Sequence, residues 1–134
     1  MSKFKIKQIY ILLFIFASCA STQILTKNQA IEKAESFVME QGYSDKKINL
    51  NRVKIEHNIL DQYQTLENVV ELRRNLLNSK SVYVKQIKNG WIIGFKYKNE
   101  KFNEIRDGIR FGKGVWVSES GNEIKMIHEN IGFD

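Results

Sequence analysis

Alternating apolar and polar residues at positions 81–97 predict a β-hairpin. Its two strand-like runs meet at Asn89-Gly90, a dipeptide that favours a two-residue type I′ turn because both positions tolerate a positive φ angle. This turn would place Lys88 opposite Trp91. Since side chains alternate across a strand, the larger apolar residues share one face, which we expect to lie in the core: Val82, Val84, Trp91, Ile93, Phe95 and Tyr97.

Apolar residues at helical spacing predict an amphipathic helix over residues 27–41. Thr26 and Gln29 fit a capping box at its start. Gly42 stands where a C-terminal cap is expected, and Tyr43 can pack back onto the last turn. These signals lie close together in the chain, so both ends of the helix are predicted from local sequence.

A second helix is predicted over residues 65–77, with Thr65 as its N-cap. Arg73 falls within the apolar stripe of this helix, where the aliphatic part of its side chain can pack while the guanidinium reaches an acid. Between the two helices, partial alternation of apolar residues predicts a strand over residues 52–59.

Two further strands are predicted after the hairpin. Residues 98–107 form a charged loop around Phe102, and the strands follow at 109–118 and 123–129, the latter with His128 on the same side as Met126. Helices followed by a run of antiparallel strands are typical of the α+β class. We therefore expect residues 26–134 to form a single α+β domain, in which helices cover a curved sheet of about four strands.

The N-terminus has the pattern of an export signal. Three lysines precede an apolar run at residues 9–17, which is too short for the roughly 20 residues that cross a bilayer. The run ends at Cys19, the single cysteine of the chain. It resembles a bacterial lipoprotein signal, which implies that residues 1–18 are removed, that Cys19 is acylated and that residues 19–25 form a tether. An ordinary secretory signal with a chance cysteine, or a retained membrane anchor, remains the alternative.

Charge and localisation follow from this signal. The whole chain carries a formal net charge of +6, and without residues 1–18 it carries 18 Lys and Arg against 15 Asp and Glu. This weak excess comes with no nucleic-acid-binding motif, so nucleic acid is not an expected partner. Ala20 follows Cys19 where an aspartate would favour the inner membrane. In a two-membrane bacterium we expect the outer membrane, with the domain facing the periplasm. With a single membrane, we expect the outer face of the cell membrane.

No pattern of catalytic or metal-binding residues stands out. His57 and His128 are far apart and fit no zinc-binding spacing, and the chain has no G-x-S-x-G sequence. The glycines at positions 108, 112 and 114 do not form a phosphate-binding loop. We therefore expect neither an enzyme nor a bound metal or cofactor.

Four residues are candidates for contact with a protein partner. Trp116 alternates away from Val115 and Val117, and an aromatic side chain near a sheet edge can anchor a protein contact. The other candidates are Phe102, His128 and Arg73. For each of them, simple packing or solvent exposure is the alternative interpretation.

Three segments together resemble small bacterial domains described as NTF2-fold immunity proteins. They are I-L-T-K-N-Q-A-I-E-K-A-E-S-F-V-M-E-Q-G-Y at 24–43, G-W-I-I-G-F-K-Y at 90–97 and G-V-W-V-S-E-S-G-N-E-I-K-M-I-H-E-N-I at 114–131. The resemblance implies a cystatin-like cone, with helices packed on a curved antiparallel sheet. It also implies that the protein binds and neutralises a partner toxin.

Two other interpretations stay open. PepSY-type envelope domains also pair a short T-x-x-Q/E-A helix with a small antiparallel sheet, which would imply modulation of a peptidase. A cone could instead hold a small ligand, and its polar groups would come from His57, His128, Arg73 and the tyrosines.

Overall fold

Three helices precede five strands in a computed structural model that describes residues 23–103 and 105–133. The helices are α1 (Lys27–Gln41), α2 (Leu50–Leu60) and α3 (Leu66–Arg74). The strands are β1 (Leu77–Ile87), β2 (Gly90–Tyr97), β3 (Ile105–Arg106), β4 (Ile109–Ser118) and β5 (Ile124–Phe133). Cys19 and the predicted signal lie outside the described residues. Within those residues, none of the helices is long and apolar enough to cross a membrane.

The strands form one antiparallel sheet in which β1, β2, β4 and β5 lie side by side. The short strand β3 pairs with the start of β4, on the edge that β4 also presents to β2. The predicted α+β class, with helices on a curved antiparallel sheet, is confirmed. The described part of the chain has one α-helix more than the sequence predicts, where a strand was expected at residues 52–59, and the short strand β3 was not predicted.

The first helix forms as predicted. Thr26 and Gln29 make the capping box, with Thr26 Oγ1 accepting from the backbone of Gln29 at 3.3 Å and Gln29 Oε1 accepting from the backbone of Thr26 at 3.0 Å. Gly42 has a φ angle of 86°, which a glycine adopts without steric cost. The Tyr43 amide then donates to the Val38 carbonyl at 3.1 Å, as in a Schellman motif.

The predicted strand over residues 52–59 is wrong, because this segment forms α2. Asn49 caps the helix by accepting from the backbone of Arg52 at 3.1 Å. Val53 and Glu56, three residues apart, are the buried positions of α2, as expected for a helix. Ile55, which a strand would bury beside Val53, is 61% exposed.

The hairpin forms with a different register. Ile87 pairs with Gly90, so Lys88 and Asn89 form the loop, and Trp91 lies opposite Gln86 rather than Lys88. Asn89 does not adopt the positive φ angle that a type I′ turn requires. Gly90 has a φ angle of 155°, and a Cβ atom there would collide with the Val117 carbonyl of β4. A glycine is therefore required at position 90 by the close approach of β4 more than by the conformation of the turn.

The predicted core face of the hairpin is confirmed except at Val82. Tyr83 pairs with Gly94 and Ser81 with Phe95, so Val82 is an extra residue in β1 and is 49% exposed. The remaining large side chains of this face pack under α1 in the main core, together with residues of β4 and β5: Val84, Trp91, Ile93, Phe95, Tyr97, Val115, Val117 and Met126.

The last strand also departs from the prediction. β5 continues to Phe133 instead of ending near residue 129. Gly114 pairs with Ile127 but Lys113 pairs with Asn130, so two residues of β5 bulge out of the ladder. His128 lies in this bulge and is exposed, whereas Met126, on the same predicted face, is buried.

Candidate functional site

An open cavity of about 470 Å³ lies between α3 and the inner face of the sheet. It is at the end of the domain where α1 ends, where α2 and α3 meet and where β2 ends; we call this the distal end. The apolar lining residues are Leu60, Val69, Leu72, Leu76, Phe102 and Met126. The polar lining residues are Tyr43, Asp61, Gln64, Arg73, Lys113 and His128.

Arg73 connects α3 to two acids of the preceding helix and loop. Its Nη2 atom donates to Asp61 Oδ2 at 2.5 Å, and its Nη1 atom donates to Glu56 Oε2. The guanidinium also lies 5.8 Å from the ring centroid of Tyr43. The sequence-based prediction for Arg73 is thus confirmed: its stem packs, with only 11% of the side chain exposed, while its head pairs with acids.

Glu56 lies between two cations and a phenol. Arg52 Nε donates to its Oε1 atom at 3.1 Å, and Tyr43 donates its hydroxyl hydrogen to Oε2 at 3.2 Å. Burial, followed by the nearby Glu56 carboxylate, raises the pKa of Tyr43 above its ordinary value. Tyr43 therefore stays protonated and remains a hydrogen-bond donor to Glu56.

Two further contacts help to hold α2 in place. The Arg52 guanidinium lies 5.5 Å from the ring centroid of Phe37 on α1, a cation–π distance. At the other end of α2, His57 Nε2 is 2.6 Å from the carbonyl oxygen of Gln64 and so joins α2 to the loop before α3. His57 thus stabilises the loop between α2 and α3 and is not among the residues that line the cavity.

Lys113 projects from the inner face of β4 into the cavity. Its Nζ atom donates to the backbone carbonyl of His128, within the bulge of β5. No carboxylate in the described part of the chain forms an ion pair with it. Burial, and then the charge of Arg73, lower the pKa of Lys113.

Three of the four residues that the sequence proposes for partner contact gather at this cavity. Arg73 lies in its wall, and His128 lies at its rim. Phe102 is 55% exposed and packs edge-on against Tyr97, with ring centroids 5.8 Å apart. Trp116 is elsewhere: it lies on the outer face of the sheet, where Lys125 Nζ is 5.7 Å from its ring.

Sequence reasoning missed two residues of the site, Glu56 and Lys113. Glu56 was hidden by the strand prediction, although the spacing of Arg52 and Glu56 matches an i,i+4 ion pair on a helix. Tyr43 was predicted as a helix-end contact and, with the other tyrosines, as a polar group of a cone that holds a small ligand. Lys113 shares a strand face with Val115 and Val117 by alternation, but its place in the cavity depends on α3 and on how β4 pairs with β5.

The distal end also carries an exposed apolar surface on α2, α3 and the loop between them. Its five side chains are between 51% and 93% exposed: Ile55, Ile59, Leu60, Tyr63 and Leu72. We call these five residues the distal apolar surface. It borders the cavity, because Leu60 and Leu72 belong to both.

The described residues contain no group of three or more His, Cys, Asp or Glu side chains that could hold a metal ion.

Comparison with protein-family models, with curated proteins and with solved structures found no match for this chain.

Proposed function

We propose that this chain is a lipid-anchored binding protein of the bacterial cell envelope that neutralises a partner toxin. The proposed anchoring rests on the lipoprotein-like signal at Cys19, and the proposed toxin partner rests on the resemblance to NTF2-fold immunity proteins. The structural observation that supports a protein partner is the distal apolar surface. Exposed apolar side chains that are grouped at one end of a domain are typical of protein-binding sites.

The distal apolar surface suits a protein contact in its composition. Ile55 and Ile59 are one helical turn apart on α2, so they present a continuous ridge. Tyr63 is 93% exposed at the tip of the α2–α3 loop. Tyrosine is enriched among the residues that contribute most to interface affinity. A partner with an apolar groove of similar length could cover this ridge.

The start of α1, which the proposed anchor precedes in the chain, lies at the other end of the domain from this surface. The Leu25 amide donates to the Glu119 carbonyl at 2.8 Å, so the start of α1 lies beside the β4–β5 turn. The 15 residues of α1 then extend roughly 22 Å toward the distal end. A lipid at Cys19 would hold the opposite end near the membrane and leave the distal apolar surface open to an incoming toxin.

A capture experiment tests this function. The full chain, purified from membranes with a C-terminal tag, is used as bait for proteins encoded beside its gene and for whole-cell extract. We expect one-to-one capture of a toxin, together with loss of that toxin's activity. Capture of a peptidase would instead support the PepSY-type alternative.

Two isoleucine variants locate the contact. Ile59→Lys should weaken capture by at least tenfold, because Ile59 lies in the distal apolar surface. Ile24→Lys is the matched control, since Ile24 is similarly exposed, at 62% against 68%, but lies before α1 at the other end of the domain. Equal capture by both variants would exclude the distal apolar surface as the binding site.

A further inference from the structure

We propose that the distal cavity binds a small amphipathic carboxylate, whose carboxylate pairs with Lys113 and whose aliphatic chain lies against the apolar wall formed by α3 and β5. This inference concerns a ligand of the protein itself. It does not depend on the proposed toxin or on the lipid anchor.

Lys113 is the cation that is available to a ligand. Its neighbours on the inner face of β4 are Phe111, Val115 and Val117, so it is the charged residue of that face. Its ammonium group donates to the His128 carbonyl, a neutral partner, and within the described residues this one bond leaves two of its three N–H donors for another acceptor.

The other charges of the cavity are already balanced. Arg73 is paired with both Asp61 and Glu56, so it has little remaining capacity for an incoming anion. Burial first, and then the positive charge of Arg73, lower the pKa of the Lys113 amine. A ligand carboxylate beside Lys113 would relieve this repulsion without breaking an existing ion pair.

The remaining wall suits an aliphatic chain. Val69, Leu72 and Leu76 of α3 and the following turn face Met126 of β5 across the cavity. Methionine adapts to flexible apolar ligands because its side chain is unbranched. The volume of about 470 Å³ falls within the range of roughly 300–1,000 Å³ that is typical of small-molecule sites. One cation at the inner wall beside an apolar surface matches a ligand with one anionic end.

Octanoate is a suitable probe for this site. The full chain is placed in lipid nanodiscs, and octanoate binding is measured by calorimetry, with empty nanodiscs as the reference. We expect saturable binding of one octanoate per chain, tightening roughly fourfold for each added methylene. Octyltrimethylammonium, which has the same chain and the opposite charge, should not bind.

Three variants connect the binding to the cavity. Lys113→Met should weaken octanoate binding by at least tenfold. Leu72→Glu should do the same by placing a carboxylate in the wall, and it is expected to fold because Leu72 is 58% exposed. Lys125→Met is the matched control, since Lys125 lies on the outer face beside Trp116 and its loss should leave binding unchanged.

The outcomes are distinct. No saturable binding by the unmodified chain would overturn the proposal, as would equal binding by the unmodified chain and Lys113→Met. Binding of octyltrimethylammonium as tight as that of octanoate would show apolar partition only. Since toxin capture is measured separately, either proposal can fail while the other stands.

Discussion

Ser81 donates both its backbone amide and its hydroxyl group to one carboxylate oxygen of Glu35, each at 3.0 Å. This pair joins the middle of α1 to β1 beside the extra residue Val82. The second Glu35 oxygen accepts from Lys80 at 3.0 Å. The Glu35 carboxylate of α1 thus holds the irregular part of the edge strand β1. Hydrogen bonds to β2 alone would leave the backbone unpaired there.

Glu35→Ala should lower the free energy of unfolding at neutral pH by about 2 kcal/mol, because charge-assisted hydrogen bonds are lost at a site with little exposure. Burial raises the pKa of Glu35, but the bonds from Ser81 and Lys80 outweigh it, so the pKa lies below the ordinary 4.5. The stabilisation by the ionised Glu35 carboxylate is therefore present above pH 4.5 and is lost as the pH falls through the lowered pKa.

Urea unfolding at several pH values measures this effect. The difference between the native chain and Glu35→Ala should shrink on acidification below pH 4.5. Glu32→Ala is the control, since Glu32 is an exposed acid on the same helix. A difference that stays constant down to pH 2 would contradict the role assigned to the Glu35 carboxylate.

Arg73→Met should destabilise the packing of α2 and α3 by about 3 kcal/mol, because it leaves Glu56 and Asp61 without their shared cation. Hydrogen exchange should rise in α2 and α3, while α1 keeps most of its protection. Arg74→Met is the matched control, because Arg74 is the exposed neighbour in the same helix turn. Equal exchange in the two variants would show that the ion pairs do not hold these helices.

Gly112→Ala should destabilise the domain by about 1–3 kcal/mol through overpacking. A Cβ atom at position 112 would overlap the Phe95 carbonyl of β2 and lie 2.7 Å from Cζ of Phe133. The Phe133 ring stacks on Tyr83 with centroids 5.4 Å apart, so this aromatic pair covers the outer face where glycines leave room.

Gly108→Asn is the control for this glycine. A Cβ atom at Gly108 would meet nothing within 4 Å, and asparagine tolerates the left-handed conformation that this position adopts. Thermal unfolding should show a clear loss for Gly112→Ala and little change for Gly108→Asn. Similar melting temperatures for both variants would exclude the predicted overlap.

The sequence predicted the elements whose signals are local and missed those that depend on distant packing. The capping box and Gly42 define α1 within a few residues of each of its ends. The alternation that predicted a strand in α2 arose because Ile55 is apolar but exposed, while the buried Glu56 is polar. Glu56 is buried because it pairs with Arg73 of α3. The periodicity of one segment does not reveal a partner in another helix.

The hairpin and the cavity show the same dependence on distant residues. The conformation of Gly90 follows from the approach of Val117, which lies 27 positions later in the chain. Lys113 enters the cavity because β5 bulges at His128 and supplies a carbonyl. The turn between β3 and β4, in contrast, has a local signal in the sequence Asp107-Gly108, a pair that favours two-residue hairpin turns. Both residues have positive φ angles, and they join β3 to β4.

Cys19→Ser should release the protein from the membrane fraction if Cys19 carries the lipid. Acylation with more than one chain gives stable anchoring, so loss of the thiol should move most of the protein out of the pelleted membranes. Fractionation followed by immunoblotting measures this. Ser18→Ala retains the thiol and should stay membrane-bound. Retention of Cys19→Ser in membranes would favour an uncleaved signal as the anchor.

Trp116→Ala distinguishes the two faces of the sheet as partner sites. Trp116 is half-buried on the outer face and contacts Lys125, so its truncation should cost about 1–2 kcal/mol of stability while the inner core is preserved. If the partner binds the distal apolar surface, capture by Trp116→Ala should equal that of the native chain while Ile59→Lys loses it. The reverse pattern would move the binding site to the outer face and make Trp116 its anchor. Affinity measured below the melting temperature of both variants separates loss of contact from loss of folding.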